Sequence, residues 1–273
     1  MNAMHSIHLI TIILYCLSVI GYFIDFLLNN RKVNRLAFWL LSIVWLLQTT
    51  FFVMRMIELA RLPIVTPFEG LFFYAWLLVT LSLILNWFFP IDFFSFFTNI
   101  VGFVMMALTI FIPSADVPRE LSVLLVSELM VIHISMIIFS YATFTLSFVC
   151  SLMYMIVHQM LKKKRWGKRL LRFGSLDKLD QLSYLLVMWG LPIFLLGIIL
   201  GLIWAYIQLD YVPWFDAKVV SSTIVVTVYA IYFYKRKVKL NRGYQMALFN
   251  VAAFLIILIN YFLSSKFSTF HLW

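Results

Sequence analysis

Histidine is the residue type in this chain best suited to bind a metal, and the chain has five: His5, His8, His133, His158 and His271. Neutral imidazole is a common ligand of iron, and haem iron can take two imidazoles. His158 lies beside a lysine cluster, and His5 and His8 lie near the start of the chain, where polar residues commonly sit among lipid headgroups. We expect those three to be structural, although His5 and His8 lie on the outer face and their part in the site stays open. His133 and His271 are the candidate ligand pair, because both are expected to emerge on the same outer face as the aromatic segment described next.

A short aromatic segment between two apolar runs, WAYIQLDYVPWFDAK (204–218), has side chains that suit a flat ligand. A porphyrin needs aromatic surface to lie against, and this segment offers Trp204, Tyr211, Trp214 and Phe215. Lys218 can pair with a porphyrin carboxylate, or it is a solvated lysine near the membrane. Tryptophan and tyrosine also line membrane interfaces without any ligand, so Trp204 can instead be an interfacial anchor.

The composition predicts the kind of structure that must position these residues. The chain has 273 residues, is 64% hydrophobic and 12% charged, and has a mean hydropathy of +1.01. Soluble globular proteins are about 45–50% apolar and about 25% charged, so we expect an integral membrane protein. Cys16 and Cys150 lie inside apolar runs and form no CxxC pair, and no nucleophile elbow, phosphate loop or zinc cluster is present. We therefore expect no enzyme.

Eight apolar runs are long enough to cross a membrane, for which a helix needs about 20 residues. The runs are 6–28, 36–57, 69–89, 93–112, 127–160, 182–206, 219–234 and 244–264. They predict an all-α, polytopic membrane helix bundle of about eight transmembrane helices, forming one membrane domain over 1–273. The net charge of +10 comes from basic clusters between the runs, which is typical of membrane topology rather than of nucleic-acid binding.

The orientation follows from the distribution of lysine and arginine. The loops after the first, third, fifth and seventh runs hold 16 of the 21 basic residues, and the opposite side holds five. The positive-inside rule therefore places both termini, the aromatic segment, His133 and His271 outside, in a multi-pass protein of the bacterial cytoplasmic membrane. Residues 117–128 are either an interfacial helix or an early start to the fifth span. Asp25 is expected to pair with Arg31 or Arg35.

The aromatic segment resembles, without a gap, the tryptophan-rich outer loop of the cytochrome c assembly family of haem-handling membrane proteins (CcsA, ResC and CcmC). That loop has the form WAxxxWGxxWxWDPKE, and two outer histidines that flank it are axial haem ligands. In GLIWAYIQLDYVPWFDAKV, Trp204 and Ala205 match its start, and Asp216 and Lys218 match its end. The positions that depart from the pattern are Leu209, Asp210, Pro213, Phe215, Ala217 and Val219.

Further stretches extend the resemblance over 68–273. HISMIIFSYATFTLSFVCSLMY (133–154) is similar to the family helix that opens with the first outer histidine, and His271 falls where the second is expected. FEGLFFYAWLL (68–78) is similar to an early family segment in which a glutamate precedes an apolar helix. VYAIYFYKR (228–236) aligns with the stretch that carries an intramembrane histidine in the family, and this chain has Tyr234 there.

The combination looks most like the HemX branch of the family, whose members are eight-helix relatives found beside haem-biosynthesis genes in Gram-positive bacteria. That branch is associated with lowering the amount of glutamyl-tRNA reductase, the first enzyme of haem synthesis from glutamate. The resemblance implies haem b held on the outer face by His133 and His271 as metal ligands, with Trp204, Tyr211, Trp214, Phe215, Asp216 and Lys218 around it. The basic stretch 161–180, with Trp166 and Phe173, docks a cytoplasmic partner such as the reductase or lies on anionic lipid.

Three functions remain open at this point. The first is a haem-binding regulator of haem biosynthesis, which we favour because the loop has lost tryptophans and the intramembrane histidine is replaced. The second is a component of haem transport or ligation in cytochrome c assembly. The third is a small-molecule transporter without haem.

Overall fold

The computed structural model describes residues 2–89, 91–112, 128–164, 167–209, 211–212, 214–263 and 267. The long helices in that part of the chain are α1 (Asn2–Leu28), α2 (Arg31–Leu59), α3 (Pro67–Phe88), α4 (Phe94–Leu108), α5 (Glu128–Lys162), α6 (Leu176–Leu209), α7 (Ala217–Lys237) and α8 (Tyr244–Leu258). A short helix, Lys168–Arg172, precedes α6. No strand occurs among the described residues, and the all-α prediction is confirmed.

All eight long helices mark spans that are long and apolar enough to cross a membrane. The chain is therefore a multi-pass membrane protein, as its composition predicts. Several helices extend beyond the apolar runs because polar residues cap them. Asn30 accepts a hydrogen bond from the Lys32 backbone N–H and caps α2, and Thr66 forms a reciprocal capping box with Glu69 at the start of α3.

The helices form two compact units. One contains α1–α4 together with the short helix Lys168–Arg172, and the other contains α5–α8. We refer to them as the α1–α4 unit and the α5–α8 unit. The single membrane domain over 1–273 stays a prediction. The alternatives for residues 117–128 concern a segment of which all but Glu128 lies outside the described residues, and α5 begins at Glu128.

The α1–α4 unit is stabilised by buried polar contacts as well as by apolar packing. The Tyr15 hydroxyl donates to Asn99 Oδ1 at 2.9 Å, deep between α1 and α4. Arg172 donates to the Asp25 carboxylate at 2.8 Å and to Asp92 at 2.6 Å. The expectation that Asp25 pairs with Arg31 or Arg35 is wrong, because Arg172, from a distant part of the chain, satisfies that buried carboxylate instead.

In the α5–α8 unit, α5 packs closely against α6 because α6 presents glycines to it. A Cβ atom built on Gly197 would lie 2.8 Å from Ile137 Cδ1, and one on Gly190 would clash with the Thr143 side chain. Small residues let membrane helices approach at short range, where dispersion and weak polar contacts hold them together. Asn250 of α8 adds a polar contact, since its amide group donates to the Ser147 hydroxyl at 2.7 Å.

Candidate functional site

His133 lies in the second turn of α5 with its imidazole held by the backbone of α6. Its Nδ1 atom is 2.6 Å from the carbonyl oxygen of Gly197. A carbonyl oxygen only accepts hydrogen bonds, so Nδ1 carries the proton and donates it. A neutral imidazole in this tautomer presents the lone pair of Nε2. Metal-ligating histidines usually have this arrangement, in which the second ring nitrogen is tied to a carbonyl or carboxylate oxygen.

Gly201, one turn after Gly197, makes the position of the imidazole possible. A Cβ atom built on Gly201 would lie 2.6 Å from His133 Cε1 and 2.8 Å from Nδ1. Carbon atoms in favourable contact are about 3.5–4.0 Å apart, so any side chain at this position would displace the ring. The sequence GxxxG at 197–201 therefore provides both the acceptor and the space for one histidine.

The imidazole lines a cavity of about 50 Å³ between α5, α6 and α7. Trp204 and Lys218, both predicted from the sequence, line the same cavity, and Trp204 is only 6% exposed. The structure thus brings together three of the predicted residues, one from each of the consecutive helices α5, α6 and α7. The cavity lining is almost wholly apolar apart from these groups, Tyr141 and Ser222.

Asp216 and Lys218 have well-defined roles at the start of α7. The Asp216 carboxylate accepts from the Lys218 backbone N–H at 2.8 Å and caps the helix. The Lys218 ammonium donates to the carbonyl oxygen of Asn260 at 2.9 Å. That hydrogen bond holds the cationic head at the cavity. The alternative of a freely solvated lysine is not what the structure shows.

Asn260 hydrogen-bonds to three residues that line the cavity, and sequence reasoning missed it. Its Oδ1 accepts from the Tyr141 hydroxyl at 3.0 Å, and its Nδ2 donates to Ser222 Oγ at 3.1 Å. It lies in a π-helical turn, Ile259–Leu263, that continues α8. Such turns are rare and are frequent at functional sites. The available signal was a fully polar amide inside the eighth apolar run, since buried polar groups in membranes are costly.

The other aromatic residues of the segment lie elsewhere. Tyr211 is 61% exposed, Trp214 is 62% exposed and Phe215 is 97% exposed, and none of them lines the cavity. A role for these three as a porphyrin platform therefore stays a prediction. Exposed aromatic rings at the end of a transmembrane helix are also typical of a membrane interface.

The predicted partner ligand, His271, lies outside the described residues. The described donor set fits haem in three respects: an imidazole with a bare Nε2, a cationic head for a propionate, and a tryptophan ring. The volume of about 50 Å³ is room for one or two water molecules and is much smaller than a porphyrin. The cavity is thus too small to enclose a porphyrin. The described residues form one side of a candidate site, and a porphyrin would have to lie across that side.

The remaining histidines differ from expectation in one case. His158 packs against Tyr244 with ring centroids 4.8 Å apart, as a structural residue does. His8 was expected among lipid headgroups, but it is 6% exposed and belongs to the α1–α4 unit. Its Nε2 is 2.9 Å from the Thr109 hydroxyl. His8 is buried because its ring packs among Phe51, Phe68 and Phe72 and because Thr109, the residue after α4, supplies a polar partner.

The basic stretch 161–180 is only partly available to a partner. Lys162, Lys163 and Lys164 are exposed, as is Leu171. Phe173 is fully buried against Phe93, with ring centroids 4.8 Å apart, so it cannot dock another molecule. Trp166 lies outside the described residues.

Comparison with known proteins agrees with this structural picture. The model of the family described as "Cytochrome C assembly protein" matches residues 64–271. The chain therefore belongs to the cytochrome c assembly protein family, which makes it a haem-related membrane protein.

Within that family, the chain is 51% identical to the Bacillus subtilis (strain 168) protein named "Protein HemX", over 96% of this chain and 95% of the relative. It is 45% identical to "Protein HemX" of Brevibacillus brevis, over 97% and 96% of the two chains. It is 25% identical to "Cytochrome c biogenesis protein CcsA" of Guillardia theta, over 76% of this chain and 74% of the relative. The predicted resemblance to the HemX branch is confirmed.

Proposed function

We propose that this protein binds haem b on the outer face of the membrane, with His133 and His271 as axial ligands, and regulates haem biosynthesis by lowering glutamyl-tRNA reductase levels. The outer location rests on the excess of basic residues in the opposite loops. Bound haem would supply an iron centre, and the imidazoles of His133 and His271 would hold it. The chain's own residues would orient the ring and neutralise its propionates.

The hydrogen bond between His133 Nδ1 and the Gly197 carbonyl oxygen is the observation that carries the haem proposal. Because Nδ1 donates to the Gly197 carbonyl, Nε2 is the only ring nitrogen left to bind iron. Lys218 supports the proposal, since its ammonium lies at the same cavity and can add a propionate oxygen to its Asn260 contact. Trp204 supplies a buried aromatic edge at the same cavity.

A visible spectrum of the purified protein tests the haem site. We expect low-spin bands typical of bis-histidine ligation, either as purified or after hemin is added. His133→Ala and His271→Ala should each abolish those bands. His158→Ala is the matched control, because His158 packs against Tyr244 away from the cavity, and it should leave the spectrum unchanged. A colourless protein that takes up no hemin would exclude this site.

The regulatory role is supported by similarity to HemX proteins over nearly the whole chain and by what the sequence has lost. Tyr234 replaces the expected intramembrane histidine, and its side chain is 53% exposed. A haem molecule crossing the bilayer would lose a ligand at that position. We infer that the outer site holds or senses haem rather than passing it on.

The exposed lysines Lys162–Lys164 are the part of the basic stretch that is open to a cytoplasmic partner such as the reductase. Replacing all three with glutamine tests this partner surface. We expect the reductase level to rise as it does on gene deletion, while the haem spectrum stays unchanged. If the surface instead lies on anionic lipid, the variant will keep the reductase level low.

A second function, haem transport or ligation in cytochrome c assembly, is supported by membership of the assembly family. Deletion of the gene separates the two functions. A raised reductase level with intact c-type cytochromes supports regulation. Loss of c-type cytochromes with an unchanged reductase level supports assembly and would refute the regulatory proposal.

A further inference from the structure

The α1–α4 unit contains a cavity of its own, much larger than the one at His133. Its volume is about 510 Å³, and it lies at the end of the unit where α1 and α3 begin and where α2 and α4 end. Small-molecule sites in proteins typically measure about 300–1,000 Å³, so this cavity has the size of a ligand site. Neither the family resemblance nor the proposed outer site uses it.

Two imidazoles reach this cavity from the first turns of α1. His5 and His8 both line it, and His5 is exposed while His8 is buried. The Thr109 hydroxyl donates to the Met106 carbonyl oxygen at 2.5 Å, so its oxygen must accept from His8 Nε2, which is 2.9 Å away. The lone pair of His8 is therefore on Nδ1, which hydrogen-bonds to no residue that the structure describes.

The wall beside His8 is aromatic. The His8 ring centroid is 5.3 Å from that of Phe68 and 5.7 Å from that of Phe51, and both phenylalanines line the cavity. The two phenylalanine rings are inclined at 58° to each other and each is 7% exposed, so they line the cavity with a small aromatic surface rather than with one flat face. A ring-containing apolar ligand can pack against either ring.

Among the described residues that line the cavity, Arg55 is the one whose permanent positive charge can bind an anionic group. Arg55 lines the cavity and forms an ion pair with Glu58 at 3.2 Å. The Arg55 side chain is 15% exposed and the Glu58 side chain is 52% exposed, so Glu58 can turn outward without being buried. A ligand carboxylate can then take its place on the guanidinium, which favours such groups.

We propose that this cavity is a second porphyrin site, with the ring packed beside Phe51 and Phe68, a carboxylate at Arg55, and the exposed His5 imidazole facing the ring centre. The choice of ligand class rests on the proposed haem-binding function. The site itself is separate from it, because none of its residues belongs to the α5–α8 unit. A simple fatty acid would use Arg55 and the apolar wall but would not require the imidazoles.

A hemin titration of the full chain in detergent, followed at the Soret band, tests the second site. The background is His133→Ala, in which the first site is removed. We expect one equivalent of hemin to remain bound, and His5→Ala with Arg55→Gln should then remove it. His158→Ala with Lys237→Gln is the matched control, with one imidazole and one cation removed outside either cavity, and it should retain the equivalent.

The Glu58→Gln variant distinguishes an effect on ligand binding from an effect on folding, because it should strengthen the binding of hemin. Removing the competing carboxylate should raise affinity for hemin and for metal-free protoporphyrin IX by about two- to fivefold, the range of an exposed ion pair. Arg55→Gln should lower both affinities by about 10- to 100-fold, as expected for a hydrogen bond to a charged group. Opposite changes at neighbouring positions cannot both come from misfolding.

The outcomes distinguish the two sites. If hemin is lost entirely in His133→Ala, the second site is refuted and the first stands. If hemin binding is unaffected by His133→Ala but is lost in His5→Ala with Arg55→Gln, the first site is refuted and the second stands. If the amount of hemin that remains bound is the same in both sets of variants, it reflects partition of hemin into detergent, and the second site is refuted. If oleate competes fully and His5→Ala has no effect, the tetrapyrrole assignment is wrong.

Discussion

Gly201→Ala should weaken haem binding without touching a ligand. The new Cβ atom would lie 2.6 Å from His133 Cε1, and a favourable carbon contact needs about 3.5 Å or more, so the ring must move by about 1 Å. A shift of that size lengthens the Nδ1–O distance to Gly197 from 2.6 Å to beyond hydrogen-bonding range. The imidazole then loses the contact that fixes its tautomer and its orientation.

The expected magnitude follows from what this contact does. Removing the group that orients a metal-bound histidine typically costs about 10- to 100-fold in affinity, or about 1.4–2.7 kcal/mol. Folding stability should change less. Overpacking costs about 1–3 kcal/mol, while replacing a helical glycine with alanine regains about 1 kcal/mol. The variant should therefore fold and still bind hemin poorly at the His133 site.

The assay is a hemin titration read at the Soret band, with thermal unfolding measured on the same samples. Gly190→Ala is the matched control. It adds the same methyl group to the same helix face against α5, where it meets Thr143, about three turns from the imidazole. It should leave hemin affinity unchanged. Equal losses in both variants, or wild-type affinity in Gly201→Ala, would refute the role assigned to the glycine.

Three further outcomes follow from described contacts. Lys218→Gln should lower the affinity for hemin by about tenfold but hardly change the affinity for hemin dimethyl ester, whose propionates are blocked. Equal effects on both ligands would show that Lys218 does not bind a propionate. Arg172→Ala should destabilise the protein by about 3–5 kcal/mol, seen as a lower thermal midpoint, because it leaves the buried Asp25 carboxylate uncompensated; adding Asp25→Asn should recover part of the loss, and no recovery would contradict this pairing. Glu69→Gln should lower the free energy of unfolding by about 2 kcal/mol in the same assay, because the carboxylate accepts from Arg61 at 2.9 Å and caps α3. An unchanged thermal midpoint would show that the cap is dispensable.

The spans were predictable from the sequence because hydrophobicity alone decides which segments enter a bilayer. The residues at which the helices begin and end were less predictable. The sixth apolar run starts at residue 182, but α6 begins at Leu176, because Asp177 and its polar neighbours continue the helix past the apolar core. Polar residues that follow helical geometry carry no hydropathy signal, so the run is shorter than the helix.

Pairings between distant residues were beyond sequence reasoning. Asp25 pairs with Arg172 rather than with the nearby Arg31 or Arg35 because the short helix before α6 packs into the α1–α4 unit. His8 meets Thr109 for a similar reason, through the packing of α1 beside α4. Such contacts depend on which helices pack together, and periodicity within one helix does not contain that information.

The candidate site was predictable in its residue types but not in its geometry. His133, Trp204 and Lys218 do meet at one cavity. The tautomer of the imidazole depends on the Gly197 carbonyl, and the space for the ring depends on Gly201 having no side chain. A glycine in an apolar helix has many explanations, so its role becomes visible only when the facing residue is known.

The π-turn at Ile259–Leu263 makes the site sensitive to the length of the chain as well as to its residues. A π-turn includes one residue more than the α-helix it interrupts, and each residue of a helix turns the chain by about 100°. Deleting a single residue here would rotate Asn260 or its successors away from Tyr141 and Ser222, and would turn the carbonyl oxygen away from Lys218. The number of residues in this turn is therefore as much a part of the site as the side chains that it carries.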